Sequence, residues 1–363
     1  MSAALRIPAV AAPRLLALLA SLVLMGCASG SPAAVPSGPT PEPPAAAEPT
    51  ERAGPLPVKQ RRDLLGGVAY DLPVEANSWV ERELDFLVEQ RREVIGRWMA
   101  RADFYEPFVK QVLAAEGVPT DLHHLAMIES GYVPTIRSRA GAVGIWQFMP
   151  ATGRGMGLRV DSLVDERMDP VRSTVAAARH LRSLHRSFRG DWALAAAAYN
   201  AGSGRISRGM QGIGASNFWD LAAYGTLASE TRQYVPRLYA MTIIARDRQR
   251  FGFDPPQGVA RTFAFDSVEV DLPTPLAELE RIGGLPADVL GSLNPHLLRA
   301  TTPPGRYWVW TPRGAGPGVQ AAFQNSDFRR HRGVTRYAVR PGEDLRTLAE
   351  LAGVSAERLR ELN

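Results

Sequence analysis

The sequence predicts an α+β chain, in which an all-helical domain is followed by small modules with the order strand, helix, helix, strand. Two patterns predict this architecture. Between residues 78 and 250, apolar side chains recur at helical spacing, and no stretch alternates convincingly as a strand would. After residue 255, short strand-like runs alternate with paired helical segments, and this pattern occurs in two copies. We therefore expect a helical domain over residues 76–252, a first module over residues 260–313 and a second over residues 334–363.

The segment before the helical domain has the composition of a targeting sequence and a tether. Arg6 and Arg14 precede an apolar run at residues 15–24, which is too short to span a bilayer and has the layout of a secretory signal. Between residues 31 and 60, nine prolines stand among alanines and glutamates, a composition that buries too little apolar surface to fold. We expect residues 1–26 to be a signal peptide and residues 27–75 to be a disordered tether.

Composition and spacing exclude several classes of function. The formal net charge is +5, but all but two of the 42 basic residues are arginines, and they form no basic run or patch interleaved with aromatic residues. No set of histidines and cysteines has the spacing of metal ligands, and no glycine-rich loop has the form of a phosphate or dinucleotide site. We therefore expect no nucleic-acid partner, no metal, no cofactor and a monomeric chain.

Capping residues and helix breakers bound several helices of the domain. Ser78 and Glu81 form a capping-box pair before an apolar series at helical spacing. Pro170 in a first turn and Asp191 at a cap position mark two further starts, and Gly117 marks an end. The predicted helices begin at residue 78 and then cover residues 104–116, 121–130, 169–190, 191–200 and 230–250.

Glu129 is the residue that most strongly suggests chemistry. It stands at the end of an apolar helical run and is followed by Ser130 and by Gly131, which stops the helix. The helix macrodipole disfavours a negative charge at this end, and apolar neighbours at residues 126–128 and 145–149 would desolvate it if they pack around it. Both effects raise the pKa of Glu129. A carboxylic acid that keeps its proton near neutral pH can donate that proton to a glycosidic oxygen.

Four motifs occur in order around this glutamate. They are Glu129-Ser130, GAVGIWQFMP at residues 141–150, AYNAG at residues 198–202 and ETRQYVP at residues 230–236. Together they resemble the lytic transglycosylases with a lysozyme-like fold, over roughly residues 78 to 250. The resemblance implies cleavage of the β-1,4 bond between N-acetylmuramic acid and N-acetylglucosamine in peptidoglycan, with Glu129 as acid and then base and a 1,6-anhydro end as product. One carboxylate suffices for this reaction, and the motif set shows no second carboxylate close by.

The same resemblance implies roles for five further residues. Tyr234 would lie near the catalytic acid, whereas Ser130, Gln147, Tyr199 and Asn200 would orient sugars. Structural alternatives remain open, because Gln147 could close a turn and Asn200 could cap a helix end. Two other functions also remain open: a hydrolytic muramidase on the same fold, and a catalytically idle lipoprotein that binds the cell wall.

Cys27, the sole cysteine, follows Leu24, Met25 and Gly26 in a segment that resembles a bacterial lipobox. The resemblance implies that Cys27 carries lipid and that this lipid anchors the protein to a membrane. Ala28 stands where an aspartate would favour retention at the inner membrane, so the resemblance implies the outer membrane, with the protein facing the periplasm. A cleaved signal with a coincidental cysteine is the alternative.

The two modules are related by a repeat with an offset of 69 residues, so that residues 276–294 align with residues 345–363 without gaps. They resemble LysM modules, which bind glycans that contain N-acetylglucosamine, and the resemblance implies peptidoglycan glycan strands as the partner. The second copy has the better signature, from Tyr337 to Leu345. The first copy is degenerate, and the second is incomplete because Asn363 precedes any closing strand.

Overall fold

The protein is mostly helical, with a small two-stranded sheet in its C-terminal half. The computed structural model describes residues 65–254, 262–330, 339, 342–352 and 354–361. The expected signal peptide, most of the expected tether and the expected lipidation site Cys27 lie outside these residues. Within the described ranges, no helix has the length and apolar content needed to cross a bilayer.

Nine helices form the N-terminal part of the described chain. Their bounds are α1 Ser78–Gln90, α2 Arg92–Ala115, α3 His124–Ser130, α4 Pro150–Gly155, α5 Pro170–Ser187, α6 Trp192–Ala201, α7 Ser203–Ile213, α8 Phe218–Ala223 and α9 Ser229–Arg246. Short 3-10 turns cover Thr120–His123, Glu166–Met168 and Gln249–Phe251. No strand longer than an isolated bridge forms in residues 65–254, which agrees with the sequence prediction of an all-helical domain.

Local sequence explains most of these helix starts, although one cap was assigned wrongly. The side chain of Asn77, not that of Ser78, caps α1 by accepting hydrogen bonds from the backbone N–H groups of Trp79 and Val80 at 3.0 and 3.2 Å. Asp169 and Asp191 cap α5 and α6 in the same way. The helix expected to start at residue 104 is the second half of α2, which runs without interruption from Arg92.

The core of the helical part surrounds α6. Its alanines from Ala193 to Ala198 are all buried, and their small side chains let α5 and α9 pack closely against it. α9 also packs against α1 and against α3, the helix that carries Glu129. This arrangement brings the ends of α3, α6 and α9 to one region of the molecule.

The C-terminal part contains one complete unit with the order strand, helix, helix, strand. Strands β1 (Phe265–Val270) and β2 (Tyr307–Pro312) pair antiparallel, with Val268 opposite Val309. Between and after them lie α10 Leu276–Gly283, α11 Val289–Leu293, α12 Gly316–Asn325 and α13 Asp327–Arg330. We call residues 265–312 the strand module. Its core is apolar, and Val268, Leu279 and Leu290 are fully buried in it.

The second copy is represented by two helices, α14 (Leu345–Ala352) and α15 (Ala356–Glu361). The strand expected at residues 337–340 lies outside the described residues apart from position 339. The ranges given above for the modules and the tether therefore stay predictions.

Candidate active site

Glu129 lies in the last turn of α3, and the chain reverses immediately after it. Gly131 ends the helix in the left-handed conformation, with φ +55°. A side-chain carbon at this position would come within 2.3 Å of Cδ1 of Trp98, so both the backbone conformation and the close packing require glycine. The position of the carboxyl group is thus set by a tight helix end against α2.

The hydroxyl of Tyr234 contacts the carboxyl group directly. Tyr234 is buried on α9, and its OH donates a hydrogen bond to Oε1 of Glu129 over 2.5 Å. Burial and the neighbouring Glu129 raise the pKa of Tyr234 well above its ordinary value, so the phenol keeps its proton and acts as a donor. The two residues are 105 positions apart, and the packing of α3 on α9 brings them together.

Burial raises the pKa of Glu129 from 4.5 to about 7. The hydrogen bond from Tyr234 acts in the opposite direction because it stabilises the carboxylate, and the negative charge of Glu230 adds to the increase. Glu129 is half-buried, so a bound ligand can reach a group that is nonetheless largely removed from water. The site can therefore hold a protonated acid near neutral pH.

A second carboxylate, that of Glu230, lies near Glu129. The motifs indicated a lone carboxylate, but Glu230 is close enough to raise the pKa of Glu129. It is exposed in the first turn of α9 and accepts a hydrogen bond from Nδ2 of Asn200 at 3.4 Å. The sequence carried a signal for this proximity, because Glu230 precedes Tyr234 by four residues and helical positions with this spacing share a face.

The second motif forms a tight turn, residues 141–148, which we call the motif turn. Ser130 Oγ lies 2.9 Å from the carbonyl of Ile145 in this turn and 3.0 Å from the carbonyl of Ala126 in α3, so its hydrogen is shared between two acceptors. The Tyr199 hydroxyl donates to the carbonyl of Trp146 at 2.7 Å. Each hydroxyl has one hydrogen to donate. Toward a sugar, these two side chains can therefore act as acceptors and, for Tyr199, as an aromatic surface.

Gln147 and Asn200 are also engaged within the protein. Gln147 has φ +49°, and its Nε2 donates to the carbonyl of Gly144 at 2.8 Å, so its side chain closes the turn. Oδ1 of Asn200 accepts a hydrogen bond from Thr231 Oγ1 at 2.9 Å, which ties the end of α6 to the start of α9. Both residues are half-buried beside the motif elements.

Trp146, within the motif turn, and Arg167, which contacts the turn, stabilise the structure around it. Trp146 is fully buried, and its Nε1 donates to Thr174 Oγ1 on α5 at 2.9 Å, so its ring belongs to the core. Arg167, which no motif singled out, donates from Nη1 to the carbonyls of Gly141 and Phe148 at 2.9 and 3.0 Å. Backbone carbonyls occur at every position, so the sequence gives no signal for such a contact.

Among the described residues, no group of three or more side chains could hold a metal ion.

Comparison with known proteins gives a consistent set of relatives. Residues 107–221 match the family described as the transglycosylase SLT domain. The chain is 31% identical over 278 residues to membrane-bound lytic murein transglycosylase D of Escherichia coli (strain K12), which covers 72% of this chain and 60% of that protein. A putative tributyltin chloride resistance protein of Alteromonas sp. (strain M-1) is 31% identical over 158 residues, which cover 42% of this chain and 75% of that protein.

Among solved structures, an inactive mutant of the lytic transglycosylase Slt from Pseudomonas aeruginosa aligns with 41% of this chain and 24% of its own. The sequence identity is 25% and the TM-score 0.34, a similarity too distant to support an inference.

The chain therefore contains a transglycosylase SLT domain over residues 107–221. More particularly, it is a homologue of membrane-bound lytic murein transglycosylase D, and it spans 60% of the length of that relative.

Proposed function

We propose that the protein is a peptidoglycan lytic transglycosylase with a lysozyme-like catalytic domain. It would cleave the β-1,4 bond between N-acetylmuramic acid and N-acetylglucosamine and leave 1,6-anhydromuramoyl ends. The observation that carries the proposal is the half-buried Glu129, whose pKa is about 7 and whose Oε1 accepts a hydrogen bond from Tyr234. The SLT family match over residues 107–221 and the name of the transglycosylase D relative support the proposed substrate class.

In the proposed reaction, Glu129 first gives its proton to the glycosidic oxygen as the bond to C1 breaks. The resulting carboxylate then accepts the proton of the muramoyl C6 hydroxyl, whose oxygen attacks C1 and closes the 1,6-anhydro ring. No water is consumed, and Glu129 ends protonated as it began. A pKa near the working pH suits both halves of this cycle, because the group must donate and then accept.

The Tyr234 hydroxyl would keep one carboxyl oxygen fixed throughout. It remains a donor at neutral pH, so its hydrogen bond strengthens as Glu129 becomes negative and stabilises that intermediate state. Ser130, Gln147, Tyr199 and Asn200 would line the glycan-binding groove, and their internal hydrogen bonds would keep it in shape before substrate arrives.

Glu230 favours one alternative function, a hydrolytic muramidase. Glycosidases that use water need a second carboxylate as base or nucleophile, and Glu230 is a carboxylate near Glu129. Its exposure and its contact with Asn200 fit better with a group that binds substrate than with one that activates water.

The proposal is tested on purified sacculi with Glu129→Gln and Glu230→Gln as matched variants, each of which replaces a carboxylate with an amide of the same size. We expect Glu129→Gln to abolish cleavage while binding to sacculi persists, and Glu230→Gln to retain anhydro products at a reduced rate. Normal cleavage by Glu129→Gln would overturn the assignment. Such cleavage would also exclude a catalytically idle wall-binding lipoprotein, and it would leave the identity of the catalytic acid open.

We propose further that the full chain is anchored in the outer membrane by lipid on Cys27, faces the periplasm, and uses its two LysM-like modules to bind glycan strands. The transglycosylase D relative is named as membrane-bound, which supports an anchor. Metabolic labelling with a palmitate analogue, compared between the wild-type chain and Cys27→Ala, tests it. Equal labelling of the two proteins would exclude Cys27 as the acylated residue.

A further inference from the structure

The motif turn is held from behind by one buried guanidinium group. Arg167 is only 2% exposed and lies in the 3-10 turn Glu166–Met168. Its Nη1 donates to the carbonyls of Gly141 and Phe148, which are the first and last residues of the motif turn. One nitrogen thus joins the two ends of the turn.

Asp165 fixes the direction in which this guanidinium points. Nε of Arg167 donates to Oδ1 of Asp165 at 2.8 Å, and Nη2 donates to Oδ2 at 2.7 Å. Such a two-fold contact orients the planar group far more strictly than a single hydrogen bond would. The backbone of Arg167 packs equally closely, because a side-chain carbon on Gly144 would come within 1.8 Å of the Arg167 carbonyl oxygen.

The motif turn in turn holds two side chains beside Glu129. Its carbonyls at Ile145 and Trp146 accept hydrogen bonds from Ser130 and Tyr199. Ser130 directly follows Glu129, and Tyr199 lies close enough for the charge of Glu129 to raise its pKa. A shift of the turn would break the Tyr199 contact and leave Ser130 with only the Ala126 carbonyl, and we expect it to let water reach the carboxyl group.

The segment around Arg167 is anchored on its other side by the strand module. The backbone N–H of Asp165 donates to the carbonyl of His296 at 2.9 Å. The Tyr307 hydroxyl donates to Oε1 of Glu166 at 2.9 Å, and Nε1 of Trp310 donates to Oδ2 of Asp169 at 2.8 Å. All of these partners are buried, and breaking such contacts leaves polar groups without water.

We infer that Arg167 is a positioning residue through which the strand module holds the motif turn in place beside Glu129. The strand module then stabilises the structure of the site, in addition to the glycan binding proposed for it. This inference rests on the proposed function in one respect: it takes the motif turn to be part of the catalytic groove.

The first test compares Arg167→Met with Arg154→Met, a matched change at an exposed arginine of α4. For Arg167→Met we expect kcat/KM on sacculi to fall about tenfold or more, because small displacements of catalytic groups are costly. We also expect the limb of the pH profile that loses activity above neutral pH to move down by about one pH unit as water reaches Glu129. Partial unfolding alone would lower the rate without moving that limb. Arg154→Met should change neither quantity.

The second test uses a milder change and needs no substrate. Tyr307→Phe removes only the hydroxyl that contacts Glu166. Its control is Arg306→Met, which replaces an exposed arginine that pairs with Glu269 inside the strand module. We expect the pKa of Glu129, followed by NMR of the labelled carboxyl carbon, to fall in Tyr307→Phe and to stay at about 7 in Arg306→Met. This measurement decides the question even if Arg167→Met does not fold.

An unchanged Glu129 pKa in Tyr307→Phe and in any folded Arg167→Met would overturn the inference. The proposed function fails separately, if wild-type protein with a normal Glu129 titration leaves sacculi uncut. In that case the support of the motif turn by Arg167 would stand as a property of the fold.

Discussion

The carboxyl group of Glu129 is subject to three electrostatic influences. Burial raises its pKa most strongly, the hydrogen bond from Tyr234 lowers it, and Glu230 raises it. Moving the pKa from 4.5 to about 7 corresponds to roughly 3 kcal/mol between the two protonation states. A helix end contributes only about 0.3–1 kcal/mol, so the apolar surroundings at the end of α3 account for most of the effect.

The raised pKa of Glu129 makes stability depend on pH with a definite sign. The folded state holds the proton more tightly than the unfolded chain between pH 4.5 and about 7, so the contribution of this group to stability falls as pH rises through that range. Glutamine carries no charge. We expect Glu129→Gln to match the wild type near pH 4 and to be more stable at pH 8, by at most about 3 kcal/mol and by less where water screens the half-buried group. Urea unfolding at both pH values measures this, and an equal difference at the two would contradict it.

Tyr234→Phe removes the interaction that opposes the pKa increase. We expect the pKa of Glu129 to rise further, because the carboxylate loses its hydrogen-bond donor. Cleavage of sacculi should fall about tenfold to a hundredfold for the same reason. An NMR titration of Glu129 checks the first expectation, and a decrease of its pKa in Tyr234→Phe would show that the phenol acts in another way.

At the scale of single residues, the sequence predicted the raised pKa of Glu129 and the proximity of Tyr234. The apolar run before Glu129 and the motifs around it were enough to predict a protonated acid. The proximity of Glu230 to Glu129 was not predicted, although Glu230 stands on the same face of α9 as Tyr234. Arg167 carries no local signal at all, since its partners at the turn are backbone carbonyls 26 and 19 residues away.

The motif turn is the element on which several site residues depend. The turn has no space for a side chain at Gly144. This residue has φ +87°, and the absence of a side chain leaves room for the Arg167 carbonyl. Gly157 has the same φ of +87°, but nothing lies within 4 Å of the side-chain carbon it lacks. Alanine substitutions at the two glycines therefore distinguish the energetic cost of an unfavourable backbone conformation from the cost of a steric clash.

We expect Gly144→Ala to lower the free energy of unfolding by more than about 3 kcal/mol, because alanine adds a clash to an unfavourable φ. Gly157→Ala should cost only about 1 kcal/mol, since the backbone conformation alone is unfavourable there. Denaturant unfolding of the two variants gives both values. Equal losses would mean that the motif turn can move away from Arg167 at little cost.

Elements with strong end signals were predictable, whereas those defined by packing were not. Asp169 with Pro170, Asp191 and Gly131 bounded three helices because their roles are local. Helices α7 and α8 were missed, since α7 contains three glycines and α8 has only six residues. Both helices gain stability by packing against α6 and against each other. The pairing of β1 with β2 followed from the order of elements in the first copy, and its register required the structure.

At the scale of the whole molecule, the strand module and the helical part share a buried polar network. Asp169 caps α5 and accepts hydrogen bonds from Arg172 and from Trp310 of β2. Arg172 lies 4.7 Å from the ring centres of both Tyr307 and Trp310, so cation–π contacts join the two parts as well. Nothing in a repeat pattern or a composition predicts such a junction, because it depends on residues 124 to 141 positions apart.

We expect Asp169→Ala to destabilise the protein by about 3–5 kcal/mol, because it leaves the half-buried Arg172 without its closest carboxylate. Asp191→Ala, which removes only the cap of α6, should cost about 1 kcal/mol. Calorimetry of the two variants measures these losses. In the wild type, we expect calorimetry to show the helical part and the strand module unfolding together. Two separate wild-type transitions would show that the junction is weaker than its contacts indicate.

The central claim is that Glu129 uses the substrate's own hydroxyl and no water. Digestion of sacculi in water enriched in heavy oxygen, followed by mass spectrometry of the released muropeptides, tests this directly. We predict 1,6-anhydro ends that contain no heavy oxygen, and no such products from Glu129→Gln. Reducing muramic acid ends that carry heavy oxygen would contradict the account and identify the protein as a hydrolase.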